Sequence, residues 1–361
     1  MTTAEKNILF LDNVIELSYH KKAKILSMFD IDKDLYLDFN EIETKLQGIL
    51  TPKEMACIRK STKQNLEQII LSYEKSNIKT VTIYSPNYPP LLKEAVEPPF
   101  CLYCKGNIDL LNSTCIAVVG SRNISDYGKV VTSMFCKEFA SQGITIVSGM
   151  ALGVDTVAHN VALENNAPTI AVLGGGFDHI YPSANFGLFK DICLNGLVVT
   201  EYAPPTEPLA YNFPVRNRII AGLSRGVLVT EAGLKSGALH TKNYAIECGR
   251  EVFAVPGKIT STSSEGTNNI IKQCQACLVT SPKDIFDALD INLKEISKKT
   301  VQQLDITSET ILNYILTEKK TYQEIADYTQ LPARELNSKL MELQMDGLII
   351  KLAGNSYISS R

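Results

Sequence analysis

The sequence predicts an α/β fold built on a parallel sheet. Three observations carry that expectation. Apolar runs of strand length, CIAVVG, ITIVSG, TIAVLG and LVVTEY, alternate with segments of helical pattern. Such near-continuous runs read as strands covered on both faces. Glycine and other small residues follow several of these strands directly, where ligands bind in open parallel sheets. The order strand, glycine-containing loop, helix, strand then returns within FPVRNRIIAGLSRGVLVTEAGLKSGALHTKNYAIECGREVFAVP, residues 213–256.

Taken in order, residues 1–79 read as helical. Ile8, Leu11, Ile15 and Leu17, then Ile25, Leu26 and Phe29, recur at the spacing of one helix face. Thr51-Pro52-Lys53-Glu54 marks a helix start, with Thr51 as N-cap and Glu54 three residues on. Between them, Asp30, Asp32, Asp34, Tyr36, Asp38 and Glu41 fall at the ligand positions of a calcium-binding loop. Leu35 stands where that loop turns on glycine, so an acidic inter-helix loop is the expected reading.

From Thr80 the pattern changes to strands broken by prolines: TVTIYS, the turn 86–90, Pro98-Pro99 and FCLYCKG. This stretch leads into the central sheet. Helices are expected at residues 127–141, 154–165 and 185–193. In the 213–256 stretch the expectation is a helix at 219–223, a strand at 226–230, a small-residue turn at 235–238, a helix at 239–248 and a strand at 251–255. Arg216, Asn217 and Arg218 are thereby placed at a helix start, where unpaired N–H groups and the helix dipole favour anions.

The chain has 361 residues, 45% of them hydrophobic, and a net charge of −3. That length suits two or three domains and that composition a packed core. A nucleic-acid binder with this charge needs a local basic patch, because the whole-molecule field does not attract anions. Neither a signal peptide nor a membrane-spanning run is read, so the expected compartment is the cytoplasm. The nine cysteines lie mostly in apolar runs, which reads as reduced thiols. Cys101/Cys104 and Cys274/Cys277 have C-x-x-C spacing. The first pair sits in a strand, where positions three apart face opposite sides, and zinc is not expected.

The loops beyond the strands are Gly120-Ser121-Arg122-Asn123, residues 148–155, Gly174-Gly175-Gly176 with Asp178 and Tyr181-Pro182, and Ser236-Gly237. Glycine lets a backbone approach phosphate, and Arg122 adds a bidentate donor. Neither G-x-G-x-x-G nor G-x-x-x-x-G-K-[ST] is present, which disfavours dinucleotide chemistry and P-loop hydrolysis. His159 reads as structural and His240 lacks an acidic partner in sequence. Glu201 and Glu231 follow strands. They read as helix-start caps or as ion-pair partners of Arg216 and Arg218 rather than as catalytic acids.

In order along the chain, GSRNISDYG, SGMALGVDTVAH, TIAVLGGGFDHIYPSAN, EYAPPTEPLAYNFPVRNRIIAGLSRGVLVTEAGLKSGALHT and GREVFAVPG closely resemble the DNA processing protein A family (DprA or Smf). The resemblance spans residues 80 to about 288. It implies an extended Rossmann-like fold, single-stranded DNA as ligand without nucleotide hydrolysis, homodimers, loading of RecA recombinase and a role in natural transformation. By motif it implies a DNA site at Gly120, Ser121, Arg122, Phe213, Arg216, Asn217, Arg218 and Lys242. The cations would hold phosphates and Phe213 would stack a base. No catalytic residue, metal, cofactor or membrane partner is expected. The competing class is a nucleotide-cleaving or nucleotide-sensing protein of similar fold.

After a polar stretch at 292–303, three helices (308–317, 321–328 and 332–345) and a small hairpin form a pattern similar to a winged helix. Ser308 and Thr321 are the expected N-caps, and Glu324 completes a capping box. On the third helix Glu335, Glu342 and Asp346 offset Arg334 and Lys339, so docking is expected there rather than DNA binding. The expected domains are residues 1–79, 80–291 and 304–361.

Overall fold

The computed structural model describes residues 1–13, 17–29, 44–60, 63–292, 305–316, 318–352 and 354–359. Ile15, the 30–41 acidic loop and nearly all of the polar stretch 292–303 lie outside the described residues. Helices come first: α1 (Thr3–Asn13), α2 (Tyr19–Met28), α3 (Pro52–Lys60) and α4 (Lys63–Lys75). The cap expected at Thr51 forms, with the Thr51 N–H donating to Glu54 at 2.7 Å and the Glu54 N–H donating to Thr51 Oγ1 at 3.3 Å. Lys21 pairs with the same carboxylate, and together these bonds hold its pKa down at about 2.

The lead-in contains β1 (Lys79–Thr82), α5 (Pro90–Lys93) and β2 (Cys101–Gly106). The alternation follows: β3 (Cys115–Val119), α6 (Asp126–Ser141), β4 (Thr145–Ser148), α7 (Val154–Glu164), β5 (Thr169–Val172), α8 (Phe186–Asn195) and β6 (Leu197–Thr200). It continues through α9 (Asn212–Leu223), β7 (Gly226–Val229), α10 (Ala238–Glu247), β8 (Glu251–Ala254), α11 (Glu265–Lys272), β9 (Cys277–Leu278) and α12 (Pro282–Ala288).

These strands form one nine-stranded sheet in the order β1-β2-β6-β5-β4-β3-β7-β8-β9. From β6 to β9 every pairing is parallel, while β1 and β2 extend the β6 edge with antiparallel pairings. The lead-in is therefore part of the sheet. Strand order reverses beside β3. The chain runs outward through β4, β5 and β6, then returns to add β7 on the other side of β3. The loops after β3 and β7 part at that switch and leave a crevice between them.

Side chains alternate across the sheet with period two. Cys115, Ala117 and Val119 join the core cluster that contains Ile219 and Ile220 of α9 and Ala245 of α10. Ile116 and Val118 join the cluster under α6 and α7. Cys101 and Cys104 likewise fall in different clusters, on opposite faces, as their spacing in a strand requires. A third cluster merges Ile8, Leu9, Ile25 and Ile58 of the N-terminal helices with Tyr103, Ala171, Leu173 and Val198 of the sheet. The N-terminal helices thus form a layer on the sheet and share its core.

The C-terminal residues form α13 (Ile306–Tyr314), β10 (Lys320–Thr321), α14 (Tyr322–Thr329), α15 (Ala333–Met345), β11 (Ile349–Leu352) and β12 (Ser356–Ser359). The strands make a separate antiparallel sheet in the order β10-β12-β11, around a cluster drawn only from this region. The capping box of Thr321 and Glu324 is present. Ser308 is not the N-cap of the first helix. Asp305 is, accepting from the Ser308 N–H at 3.0 Å, because a carboxylate three residues earlier outcompetes a hydroxyl already inside the first turn.

Candidate nucleic-acid interface

A cavity of about 540 Å³ opens at the strand-order switch. Gly120, Ser121, Arg122 and Asn123 after β3 form one wall, and Lys235, Ser236, Gly237, His240 and Thr241 after β7 form the other. Phe213, Arg216 and Asn217 of α9 close it, with Ala151 and Asp155 from the loop after β4. A smaller niche behind it is lined by Leu152, Tyr181, Pro182 and again Arg122, Phe213 and Arg216.

Phe213 is the centre of this arrangement. The Arg122 guanidinium carbon lies 5.9 Å from its ring centroid, that of Arg216 lies 5.8 Å away, and the Tyr181 ring is at 5.4 Å. A flat apolar surface is thus framed by two cations, a geometry that serves both stacking and phosphate contact. Arg122 is exposed. Gly174 lets the ring approach, since a Cβ there would meet Phe213 Cδ1 at 2.9 Å. Gly153, with a φ of +82°, closes the loop after β4 against the carbonyls of Ser121 and Arg122.

The helix carrying Phe213 starts earlier than the sequence suggested. It begins at Asn212, because Pro214 falls in its first turn, where a missing N–H breaks no helical bond. Arg216, Asn217 and Arg218 therefore sit in the second turn rather than at the helix start, and two of the three are buried. Arg216 donates through Nη1 to the carbonyls of Gly149 (2.9 Å) and Val172, and through Nε to Asn217 Oδ1 at 3.2 Å. Burial lowers its pKa to about 10, against the opposing charge of Asp155. It forms the floor of the cavity as well as a wall.

Arg218 and Lys242 are not among the residues that line the cavity. Arg218 is buried in an ion pair with Glu201, the pairing expected for that carboxylate. Lys242 is buried too, and donates to Gln275 Oε1 at 2.8 Å. The six other expected residues, Gly120, Ser121, Arg122, Phe213, Arg216 and Asn217, meet at the cavity.

Both nearby carboxylates hold structural hydrogen bonds. Asp155 accepts from the N–H groups of Gly149 (3.1 Å) and Ala151 (3.2 Å), which shapes the loop after β4. Burial raises its pKa, and Arg216 opposes the rise. Glu231 accepts from the Ser125 N–H (2.8 Å), Ser125 Oγ (2.6 Å) and Ser263 Oγ (2.7 Å), which fixes the N-cap of α6. His159 is buried and bonded through Nδ1 to Thr169 Oγ1 at 2.7 Å, the structural role expected of it.

Asn123, Asp155, Lys235 and His240 line the cavity without having been singled out as ligand contacts from sequence. Lys235 had a usable signal, since it stands in the loop after β7 at the sheet edge where ligands bind. Among the described residues no group of His, Cys, Asp and Glu side chains has a metal-binding arrangement, and no helix is long and apolar enough to cross a membrane.

The profile of the DNA recombination-mediator protein A family matches residues 79–290. Protein Smf of Escherichia coli K12 is 39% identical over 308 residues, covering 83% of this chain and 82% of that relative. The X-ray structure of DNA processing protein A from Streptococcus pneumoniae superimposes with a TM-score of 0.70 at 37% identity, over 80% of this chain and 98% of that one. A structure of DNA processing protein A from Helicobacter pylori, concerned with its single-stranded DNA binding mode, gives a TM-score of 0.55 at 31% identity, over 60% and 97% of the two chains.

Proposed function

Because this chain belongs to the DNA recombination-mediator protein A family, we propose that the cavity at the strand-order switch holds single-stranded DNA without regard to sequence. The observation that carries this reading is the Phe213 ring framed by Arg122 and Arg216 at the cavity. Bases stack on Phe213, and the exposed cations Arg122 and Lys235 take phosphates. Asn217, Ser121 and the Gly120 backbone complete the contact surface. Arg216 shapes the floor under the base. The bound strand is handed to RecA recombinase during natural transformation, by a homodimer in the cytoplasm. The C-terminal unit is winged-helix-like and serves docking. Asp155 and Glu231 are consumed by backbone and cap bonds, which supports a binding role over hydrolysis.

Fluorescence anisotropy with labelled single-stranded and duplex oligonucleotides across a salt series tests this. The wild type should prefer single strands and lose affinity steeply with salt. Arg122→Ala should flatten the log–log salt slope by about 0.7 for one lost phosphate contact. Phe213→Ala should cost about 1–3 kcal/mol and leave the slope unchanged. Equal affinity for duplex and single strand, or mutants that bind as wild type does, would sink the assignment.

A further inference from the structure

We infer that the buried pair Arg218–Glu201 is a positioning device for α9: it holds Phe213 in stacking geometry without touching nucleic acid. This rests on the single-strand reading of the cavity. Arg218 lies two residues after Arg216, about 200° around a helix of 3.6 residues per turn, so the two guanidiniums leave α9 on opposite sides. Arg216 reaches the ends of β4 and β5 through the Gly149 and Val172 carbonyls. Arg218 reaches Glu201, the residue directly after β6. One helix is thus tied across three neighbouring strand ends by its two arginines.

Ile219, Ile220, Ala221 and Leu223 pack the later turns of α9 into the core, and the Asn212 N–H donates to the Leu209 carbonyl at 2.9 Å, while the side-chain polar bonds at its start are weak. Tyr211, its N-cap residue, makes no side-chain cap bond. Asn212 Nδ2 donates to the Glu207 carbonyl at 3.3 Å, and Asn217 Nδ2 to the Gly237 carbonyl at 3.4 Å, both long. The pair is also a poor stabiliser in itself. Nε and Nη1 of Arg218 and Oε1 of Glu201 are buried without a hydrogen-bond partner among the described residues. Burial pushes the Glu201 pKa up, against the charge of Arg218. A buried pair that is incompletely bonded adds little net stability, and an apolar pair of the same size serves as well or better. What this pair supplies is a filled contact between α9 and the end of β6, which an apolar pair of the same size also supplies: it fixes the azimuth of α9, and the ring of Phe213 with it.

The test is a double-mutant cycle read by anisotropy at a temperature where every variant is folded by circular dichroism. Phe213→Ala in wild type weakens single-strand binding roughly 5- to 150-fold, the range for one stacked base. In Arg218→Met the ring is no longer aimed, so Phe213→Ala there should weaken binding less than about two-fold, a strong coupling between residues that do not share a ligand. Arg218→Met itself should lower affinity at every salt concentration and leave the salt slope unchanged. Arg218→Met/Glu201→Leu removes the charge left unpaired and restores packing, so it should recover affinity to within about three-fold of wild type.

A slope about 0.7 shallower in Arg218→Met, with no recovery in the double variant, would show a direct phosphate contact and overturn the inference. So would an undiminished effect of Phe213→Ala in the Arg218→Met background. Should Arg218→Met fail to fold, the comparison of Phe213→Ala in wild type and in the apolar double variant decides. Equal increments with full affinity support positioning, and a double variant that folds but binds like Phe213→Ala refutes it. If wild type itself shows no single-strand binding, the reading of the cavity falls together with this one. Wild-type binding with a failed cycle refutes the positioning role alone.

Discussion

Three arginines near the cavity carry the same charge and do three different things. Arg122 is exposed beside the ring, Arg216 builds the floor through backbone carbonyls, and Arg218 is consumed by Glu201. A sequence shows the cations and the aromatic that a strand-binding site needs. It does not show which guanidinium faces solvent, because that depends on the helix phase set by Pro214. His159 makes the complementary point, since its buried role was legible from its apolar neighbours. Thr169 gives its only proton to the Ile146 carbonyl at 2.9 Å, so Nδ1 of His159 must donate to it. Burial, then the charge of Arg216, lowers its pKa from 6.5 to about 3. The unfolded chain takes up that proton below about pH 6.5, whereas the folded chain resists until about 3. The stability this group contributes is therefore complete above pH 6.5 and lost as pH falls toward 3, at a slope of up to about 1.4 kcal/mol per pH unit. Urea midpoints of wild type should fall between pH 6.5 and 5, while those of His159→Gln should stay nearly flat. Parallel pH dependence in the two proteins would remove His159 as the cause.

Elements were easier to read than their contacts. Most strands and helices from β3 to β8 lie within about two residues of where the apolar runs put them, because burial on both faces leaves a strong local signal. The exception is α9, which starts seven residues before the expected 219, and α11, β9 and α12 were not read. The antiparallel addition of β1 and β2 was not legible, since pairing partners distant in sequence leave no periodic trace. The glycine loops were legible as turns, yet several act by proximity rather than by backbone freedom. Gly174 is the clearest case. Its Cβ, if present, would stand 2.9 Å from Phe213 Cδ1, so the loop after β5 must be bare for the ring to lie where it does. Gly174→Ala should push the ring outward at a cost of about 1–3 kcal/mol in stability, as overpacking does. Single-strand affinity should fall toward that of Phe213→Ala. Adding Gly174→Ala to Phe213→Ala should cost little more binding, because the clash partner is already gone. Additive losses would place the effect of Gly174 on the DNA backbone instead.

At the scale of the whole molecule, the distribution of apolar clusters decides what can fold alone. The N-terminal helices bury Ile8, Leu9, Ile25 and Ile58 in the same cluster as Tyr103, Leu173 and Val198 of the sheet. Tyr103 also donates to Asp12 at 2.8 Å, and Tyr73 to Asn13 at 2.7 Å. Cut away from the sheet, residues 1–79 expose one side of that cluster to water, and a small helical unit with half a core lacks the burial needed to offset chain entropy. The C-terminal unit is built differently. Ile311, Ile315, Ile325, Leu336, Leu340, Leu343, Ile349 and Tyr357 contact one another across three helices and a three-stranded sheet, with no residue of the central sheet in their cluster. Its capping box and the Asp305 cap, whose carboxylate is tied to Lys339 at 2.8 Å, close two of its helices from within. Residues 305–361 should therefore melt cooperatively as an isolated fragment by circular dichroism. Residues 1–79 should show low helicity and no cooperative transition until the sheet is supplied. A cooperative melt of 1–79 alone would mean that its packing against β2 and β6 is docking between finished domains rather than completion of one core.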